Sequence, residues 1–89
     1  MRTGENFERE VVAKVKSKML WASRTAGSRG LFDIIAKSKE GKSILISCKF
    51  NGYWTPKETT ELRAYEKAKW EEVWVAYREN GKTVVGELN

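Results

Sequence analysis

The chain has 89 residues, 17 of them lysine or arginine and 12 aspartate or glutamate, so its formal net charge is +5 at pH 7. It has no histidine and one cysteine, which excludes Ser-His and Cys-His nucleophile pairs, an internal disulfide and the usual Cys/His zinc sites. This basic balance favours nucleic acid as a partner. Because no apolar run approaches the ~20 residues of a membrane span and no signal peptide is evident, we expect a cytoplasmic protein without membrane contact.

The predicted elements follow one another as helix, three strands, helix and two strands within one domain, residues 1–89. Early glutamates and late lysines predict a first helix over residues 5–20. Pro56, the only proline, indicates the start of a second helix that ends near Trp70. Asn80 and Gly81 predict a type I′ hairpin turn. The predicted strands cover residues 21–25, 32–37, 43–50, 73–78 and 83–88.

Glu8 is an acidic residue on the apolar side of the first predicted helix. At about 100° per residue, the apolar arc that contains Phe7, Val11 and Val15 spans roughly 140°, and Glu8 falls inside it. Its carboxylate is therefore expected to point towards the core. It either reaches out from the first turn, contacts free helix N–H groups, or belongs to a polar site on the sheet.

Asp33, the only aspartate, opens an apolar strand-like run. On the next predicted strand, alternation puts Leu45, Ser47 and Lys49 on one face. If the two strands pair, Asp33 and Lys49 come together where a nucleic-acid phosphate could bind. The alternative is an ordinary polar edge that faces solvent.

Three short segments and their order point to a known family. Residues 24–28 are Arg-Thr-Ala-Gly-Ser, residues 32–36 are Phe-Asp-Ile-Ile-Ala, and residues 46–49 are Ile-Ser-Cys-Lys. They resemble the Arg-Ser-Ala-Gly-Ser, Pro-Asp-(Ile/Leu)-(Ile/Val)-Ala and Ile-Glu-Val-Lys segments of the archaeal Holliday-junction resolvases, members of the PD-(D/E)xK nuclease superfamily. The resemblance covers most of the chain. It implies an α/β fold with a restriction-endonuclease-like core, a mixed central β-sheet flanked by helices in the order α-β-β-β-α-β-β.

The resemblance also implies a metal-dependent DNA endonuclease, structure-selective for branched DNA or four-way junctions and acting as a homodimer. Its implied cofactor is Mg²⁺, with Mn²⁺ as a substitute, because hard carboxylate oxygens suit these ions. Glu8 and Asp33 would help to hold the metal, and Lys49 would orient or activate the attacking water. The expected catalytic residues are Glu8, Asp33, Lys49 and Ser28. The expected DNA contacts are Arg24, Ser28, Arg29, Tyr53, Trp54 and Lys57.

Ser47 stands where the family has its second acidic ligand. Some restriction endonucleases of the superfamily carry the missing glutamate on the following helix, about a dozen residues after the lysine. Glu61 lies at that distance from Lys49, so we expect Glu61 to complete the metal ligands, with Glu58 in reserve. Both expectations take Leu62, Tyr65 and Ala68 as the apolar side of the second helix. The alternative is a solvated helix face with local ion pairs.

Two other functions are compatible with the sequence. The loss of the acid at Ser47 would also suit a catalytically inactive DNA-binding module on the same scaffold. A small RNA-binding or protein-interaction domain is the third possibility. Tyr53 and Trp54 either contact DNA or pack in the core or a dimer interface. The lysines at positions 14, 16, 18, 37, 39 and 42 either contact phosphates or form solvated faces.

Overall fold

The computed structural model describes residues 3–25, 31–65 and 68–88, with side chains from Asn6 onward. Within these residues the protein is a mixed α/β structure with two helices and one five-stranded sheet. Neither described helix is long and apolar enough to cross a membrane. The elements are α1 (Thr3–Lys16), β1 (Trp21–Arg24), β2 (Ile34–Lys37), β3 (Ser43–Lys49), α2 (Pro56–Ala64), β4 (Glu71–Glu79) and β5 (Lys82–Glu87).

The five strands lie side by side in chain order, with β3 at the centre. Neighbouring strands are antiparallel except β3 and β4, which are parallel. Ile46 in β3 is level with Ile34 on one side and Trp74 on the other. A parallel pair needs a crossover connection, and α2 lies in that connection. The beginning of β2, the end of β3 and the end of β4 therefore meet at one end of the sheet.

The main core lies between α1 and one face of the sheet. Apolar side chains recur every fourth residue along α1 and so form a single stripe against the strands. Ile46 is fully buried there, and burial of one such side chain stabilises the fold by about 1.5–3 kcal/mol. The buried residues of this core are Phe7, Val11, Val15, Ala22, Ile34, Ala36, Ile44, Ile46, Cys48 and Ala76.

The helix α2 lies against the opposite face. Successive residues of a strand point to opposite faces, so Lys49 lies on the other side from Cys48, and Lys49 pairs with Glu58 of α2. Thr55 is the N-cap: its side chain accepts from the Glu58 N–H, and the Glu58 side chain accepts from the Thr55 N–H. Pro56 follows as the first helical residue.

Both helices end earlier than the sequence pattern predicts. The expected end of α2 near Trp70 is wrong, because the backbone at Tyr65 is extended, with φ −61° and ψ 122°. The expected end of α1 at residue 20 is also wrong. The helix ends at Lys16, and the Ser17 hydroxyl donates to the Lys14 carbonyl. The Leu20 N–H then donates to the Lys37 carbonyl, which leads the chain into β1.

The turn between β4 and β5 is the hairpin expected from the Asn-Gly pair. Asn80 has φ +51° and Gly81 has φ +77°, and a type I′ turn requires positive φ at both central residues. These two residues lie between Glu79, the last residue of β4, and Lys82, the first of β5. The sequence signal and the backbone therefore agree at this turn.

Candidate active site

A cleft of about 400 Å³ lies where β3 ends, on the face covered by α2. Asp33 just precedes β2, and Lys49 is the last residue of β3. The antiparallel register of these strands brings both residues to the same end of the sheet. The expected site residues Asp33, Lys49 and Glu61 are thus brought together, along with Trp54. The described residues that line the cleft are Leu31, Asp33, Ser47, Lys49, Trp54, Glu58, Glu61 and Leu62.

Asp33 is held in place by two hydrogen bonds to the backbone of β3. Its Oδ2 accepts a hydrogen bond from the Cys48 N–H at 2.9 Å, and its own N–H donates to the Ile46 carbonyl at 2.8 Å. Burial raises the pKa of the Asp33 carboxyl, while the Cys48 N–H and the Lys49 charge oppose the rise. The carboxylate is therefore partly desolvated and fixed in position.

Lys49 and Glu58 form the tightest ion pair of the cleft. Lys49 Nζ lies 2.7 Å from Glu58 Oε2, while Glu58 Oε1 accepts from the Thr55 N–H at 2.9 Å. Each oxygen of this carboxylate therefore has its own partner. The Lys49 hydrogen bond and the Thr55 N–H lower the pKa of Glu58 to about 2. Glu58 is consequently ionised at neutral pH and connects the start of α2 to the end of β3.

Ser47 is buried and holds a tryptophan in the cleft wall. The Trp54 indole N–H donates to Ser47 Oγ at 3.0 Å, and its ring packs edge to face against Tyr77, with centroids 6.2 Å apart. The chain turns back after β3 at Gly52, which has φ +74° and whose N–H donates to the Lys49 carbonyl. This turn brings Trp54 over Ser47. A Ser-Trp hydrogen bond therefore stands where the resembled family has its second acid.

Glu8 and Arg24 lie beside the site rather than in the cleft. The Arg24 Nε is 3.1 Å from Glu8 Oε1, and Glu8 is not among the residues that line the cleft. Their charges nevertheless affect groups of the site. Burial raises the pKa of the Cys48 thiol, and the Asp33 and Glu8 carboxylates raise it further. The Arg24 charge is one of those that oppose the rise in the pKa of Asp33. Cys48 is accordingly a protonated thiol at neutral pH.

Of the remaining expected DNA contacts, two are exposed residues next in sequence to residues that line the cleft, and two lie outside the described part of the chain. Tyr53 is 60% exposed in the loop after β3, and Lys57 is exposed in the first turn of α2. Ser28 and Arg29 fall outside the described residues. Glu61 is exposed and lines the cleft, whereas Glu58, expected only as a reserve, contacts Lys49 directly.

The position of Glu58 could have been inferred from a signal in the sequence. Residues 55–58 are Thr-Pro-Lys-Glu, a capping-box pattern that ties the glutamate side chain to the N-terminus of its helix. The helical projection instead took Tyr65 and Ala68 as helical residues. Because α2 ends at Ala64, those reference points do not apply. The projection admitted both glutamates, and the expected order of Glu61 before Glu58 came from the spacing of about a dozen residues after Lys49.

The carboxylates of the cleft suit a hard divalent cation that keeps most of its water. Among the described residues, no three His, Cys, Asp or Glu side chains are grouped so that they could hold a metal ion. The expected trio of Asp33, Glu8 and Glu61 is therefore not assembled as one three-ligand site. Mg²⁺, however, is commonly bound by one or two carboxylates with waters and substrate phosphates. Asp33 and Glu58, which line the same cleft as Lys49, fit that kind of binding.

Comparison of the chain with protein-family models, curated proteins and solved structures finds no match.

Proposed function

We propose that this protein is a metal-dependent DNA endonuclease with a restriction-endonuclease-like core, selective for branched DNA and active as a homodimer. One observation carries the proposal: Asp33 and Lys49, from two adjacent strands, meet with Glu58 in a single cleft. The helix and strand order and the mixed sheet agree with the fold that the sequence resemblance implies. The net charge of +5 favours a nucleic-acid partner.

In the proposed mechanism, Asp33 and Glu58 are the residues that would hold Mg²⁺ or Mn²⁺. When bound, the cation lowers the pKa of water and stabilises charge on the phosphate oxygens. Lys49 then balances the phosphate charge and orients the attacking water. The Cys48 N–H keeps Asp33 in position, and the capping box keeps Glu58 in position. These fixed groups do not have to reorganise when the substrate binds.

A cleavage assay tests the proposal. End-labelled four-way junction, linear duplex and single strand are incubated with the purified protein in Mg²⁺, Mn²⁺ or EDTA. We expect paired, symmetric cuts in the junction that require the metal and disappear in Asp33→Asn and Lys49→Met. If these variants cut as well as the wild type, the activity belongs to a contaminant and the proposed site is wrong. Light scattering should show a dimer, because a monomer would not make paired cuts.

The second candidate function is a catalytically inactive DNA-binding module. It is favoured by Ser47, whose hydroxyl accepts from Trp54 where the family has a metal-binding acid. Such a module would bind the junction equally well in EDTA and in Mn²⁺ and would cut none of the three substrates. The same assay therefore separates the two functions.

A further inference from the structure

The charge of the cleft does not attract a polyanion. Its described lining has three carboxylates, Asp33, Glu58 and Glu61, and one cation, Lys49, for a net charge of −2. The whole chain carries +5. One bound Mg²⁺ would bring the cleft to neutrality and no further. The described lining of the cleft therefore adds no net attraction for a nucleic-acid backbone.

Lysines gather at the opposite end of the sheet. Lys18, Lys39 and Lys42 line a depression of about 200 Å³, and Lys14 lines an adjoining one of about 170 Å³, which also contains Lys18. We call Lys14, Lys18, Lys39 and Lys42 the lysine patch. Lys42 precedes β3 and Lys49 ends it, so these two residues are about 23 Å apart along the strand at ~3.3 Å per residue.

Backbone hydrogen bonds fix the loop that carries half of the patch. In the turn between β2 and β3, the Ser38 N–H donates to the Lys42 carbonyl at 2.9 Å. The Lys42 N–H donates to Ser38 Oγ at 3.0 Å. Gly41 has φ +89°, a conformation that glycine adopts without strain. This closed turn holds Lys39 and Lys42 next to the end of α1.

Part of the positive charge of the patch is uncompensated. Lys42 Nζ pairs with Glu72 Oε2 at 3.0 Å, and Glu40 lines the same depression. Four lysines and two glutamates give the described lining a net charge of +2. Lys18 and Lys39 are exposed and form no ion pair with any described residue. These two ammonium groups are therefore available for phosphates.

We propose that the lysine patch is a contact surface for the nucleic-acid backbone, separate from the cleft. The inference rests on nucleic acid being the partner in the proposed function, but it does not require cleavage. The depressions of the patch contain Ile44, Trp74 and Val15 and so lie on the face of the sheet that packs against α1, whereas the cleft lies on the α2 face. The patch would therefore contact a different stretch of backbone from the one in the cleft. The patch supplies the attraction that the acidic cleft lacks.

Anisotropy titrations of a fluorescein-labelled DNA duplex, long enough to cover both ends of the sheet, test this surface. They are made in EDTA between about 50 and 200 mM KCl. The double variant Lys18→Gln/Lys39→Gln is compared with the matched control Arg63→Gln/Lys82→Gln, in which Arg63 belongs to α2 on the other face of the sheet and Lys82 lies at the opposite end of the sheet from the patch. All four side chains are exposed, and each variant removes two positive charges.

We expect the patch variant to bind about tenfold more weakly and to lower the slope of log K against log [KCl] by about 2. The control should stay close to the wild type. Equal weakening in both variants would mean that only net charge matters, which would overturn the proposal. So would an unchanged patch variant, or a wild type that does not bind the duplex.

Cleavage by the same preparations distinguishes this inference from the proposed nuclease activity. At saturating DNA, the patch variant should cut at the wild-type rate, because the patch lies far from the cleft. If the wild type does not cut in any metal but the patch variant still lowers the salt slope, the nuclease proposal fails and the backbone contact stands. If cleavage occurs but the two double variants bind alike, the nuclease proposal stands and the backbone contact at the patch fails.

Discussion

The two ends of strand β3 differ in how their charged groups are held. At the cleft end, Asp33 bonds to a backbone N–H, and Lys49 bonds to Glu58. At the other end, Lys18 and Lys39 have no ion-pair partner among the described residues. The described lining of the cleft has a net charge of −2, and that of the two depressions that contain the lysine patch, Glu40 and Glu72 included, has +2. Fixed groups suit the chemistry of one phosphate, whereas exposed lysines without an ion-pair partner suit attraction to many.

The substitution Asp33→Asn should separate the roles of the two ends most strongly, because it should abolish cleavage and leave duplex affinity unchanged. Asparagine keeps an oxygen for the Cys48 N–H but removes the negative charge that would bind the metal. Loss of several kcal/mol of metal-assisted stabilisation should lower the single-turnover cleavage rate at least about a thousandfold. Duplex affinity should not fall. Substantial residual cutting, or a parallel loss of affinity, would contradict the division of roles between the ends.

The pair Glu58→Gln and Glu61→Gln tests which carboxylate serves the cleft. Glu58 contacts Lys49, whereas Glu61 is exposed on the lining. We expect Glu58→Gln to lower the cleavage rate about a hundredfold and to raise the Mg²⁺ concentration required, on the scale seen when groups around a metal site are removed. Glu61→Gln should cost only a few-fold. The opposite ranking in Mg²⁺ titrations would make Glu61 the relocated ligand.

A double-mutant cycle on Trp54 and Ser47 tests whether the hydrogen bond between these two side chains contributes to the free energy of unfolding. Trp54→Phe keeps an aromatic ring but removes the N–H that donates to the buried Ser47 hydroxyl. We expect each of Trp54→Phe and Ser47→Ala to lower the free energy of unfolding by about 1 kcal/mol. The double variant should lose less than the sum. Additive losses in urea unfolding would show that the hydrogen bond contributes no coupling.

The smallest expected effect is on the pH dependence of stability. The pKa of Glu58 is lowered from 4.5 to about 2, so its contribution to stability is fully present above pH 4.5 and is lost as the pH falls towards 2. The difference in unfolding free energy between the wild type and Glu58→Gln should therefore shrink with acidification. Lys49→Met removes the same ion pair and should likewise reduce acid sensitivity. A constant difference across this range would refute the ion pair.

Much of the strand arrangement follows from the sequence, because alternation along a strand is a local property. It places Ser47 and Lys49 on one face and Ile46 and Cys48 on the other, as the structure has them. The apolar run that begins after Asp33 likewise predicts β2 to within two residues. These features depend only on side-chain type and a period of two.

The details of the site depend on contacts that pattern alone does not contain. The end of α2 depends on an extended Tyr65 and on the Ala68 N–H, which donates to the Glu71 side chain. If the helix is taken to continue past Ala64, its projection directs Glu61 towards the sheet as favourably as Glu58. The inward projection of Glu8 was expected, but its ion pair with Arg24 requires α1 and β1 to meet in three dimensions. The Trp54 bond to Ser47 likewise depends on the turn at Gly52.

Paramagnetic broadening by Mn²⁺ tests most directly whether the cleft holds a metal. In an ¹⁵N-labelled sample titrated with substoichiometric Mn²⁺, amide signals near the ion lose intensity. We predict selective loss at Asp33, Cys48 and Glu58, with Lys18 and Lys39 unaffected at the other end of the sheet. Absence of selective broadening at the cleft, or broadening centred elsewhere, would contradict a metal-dependent site at Asp33 and Glu58.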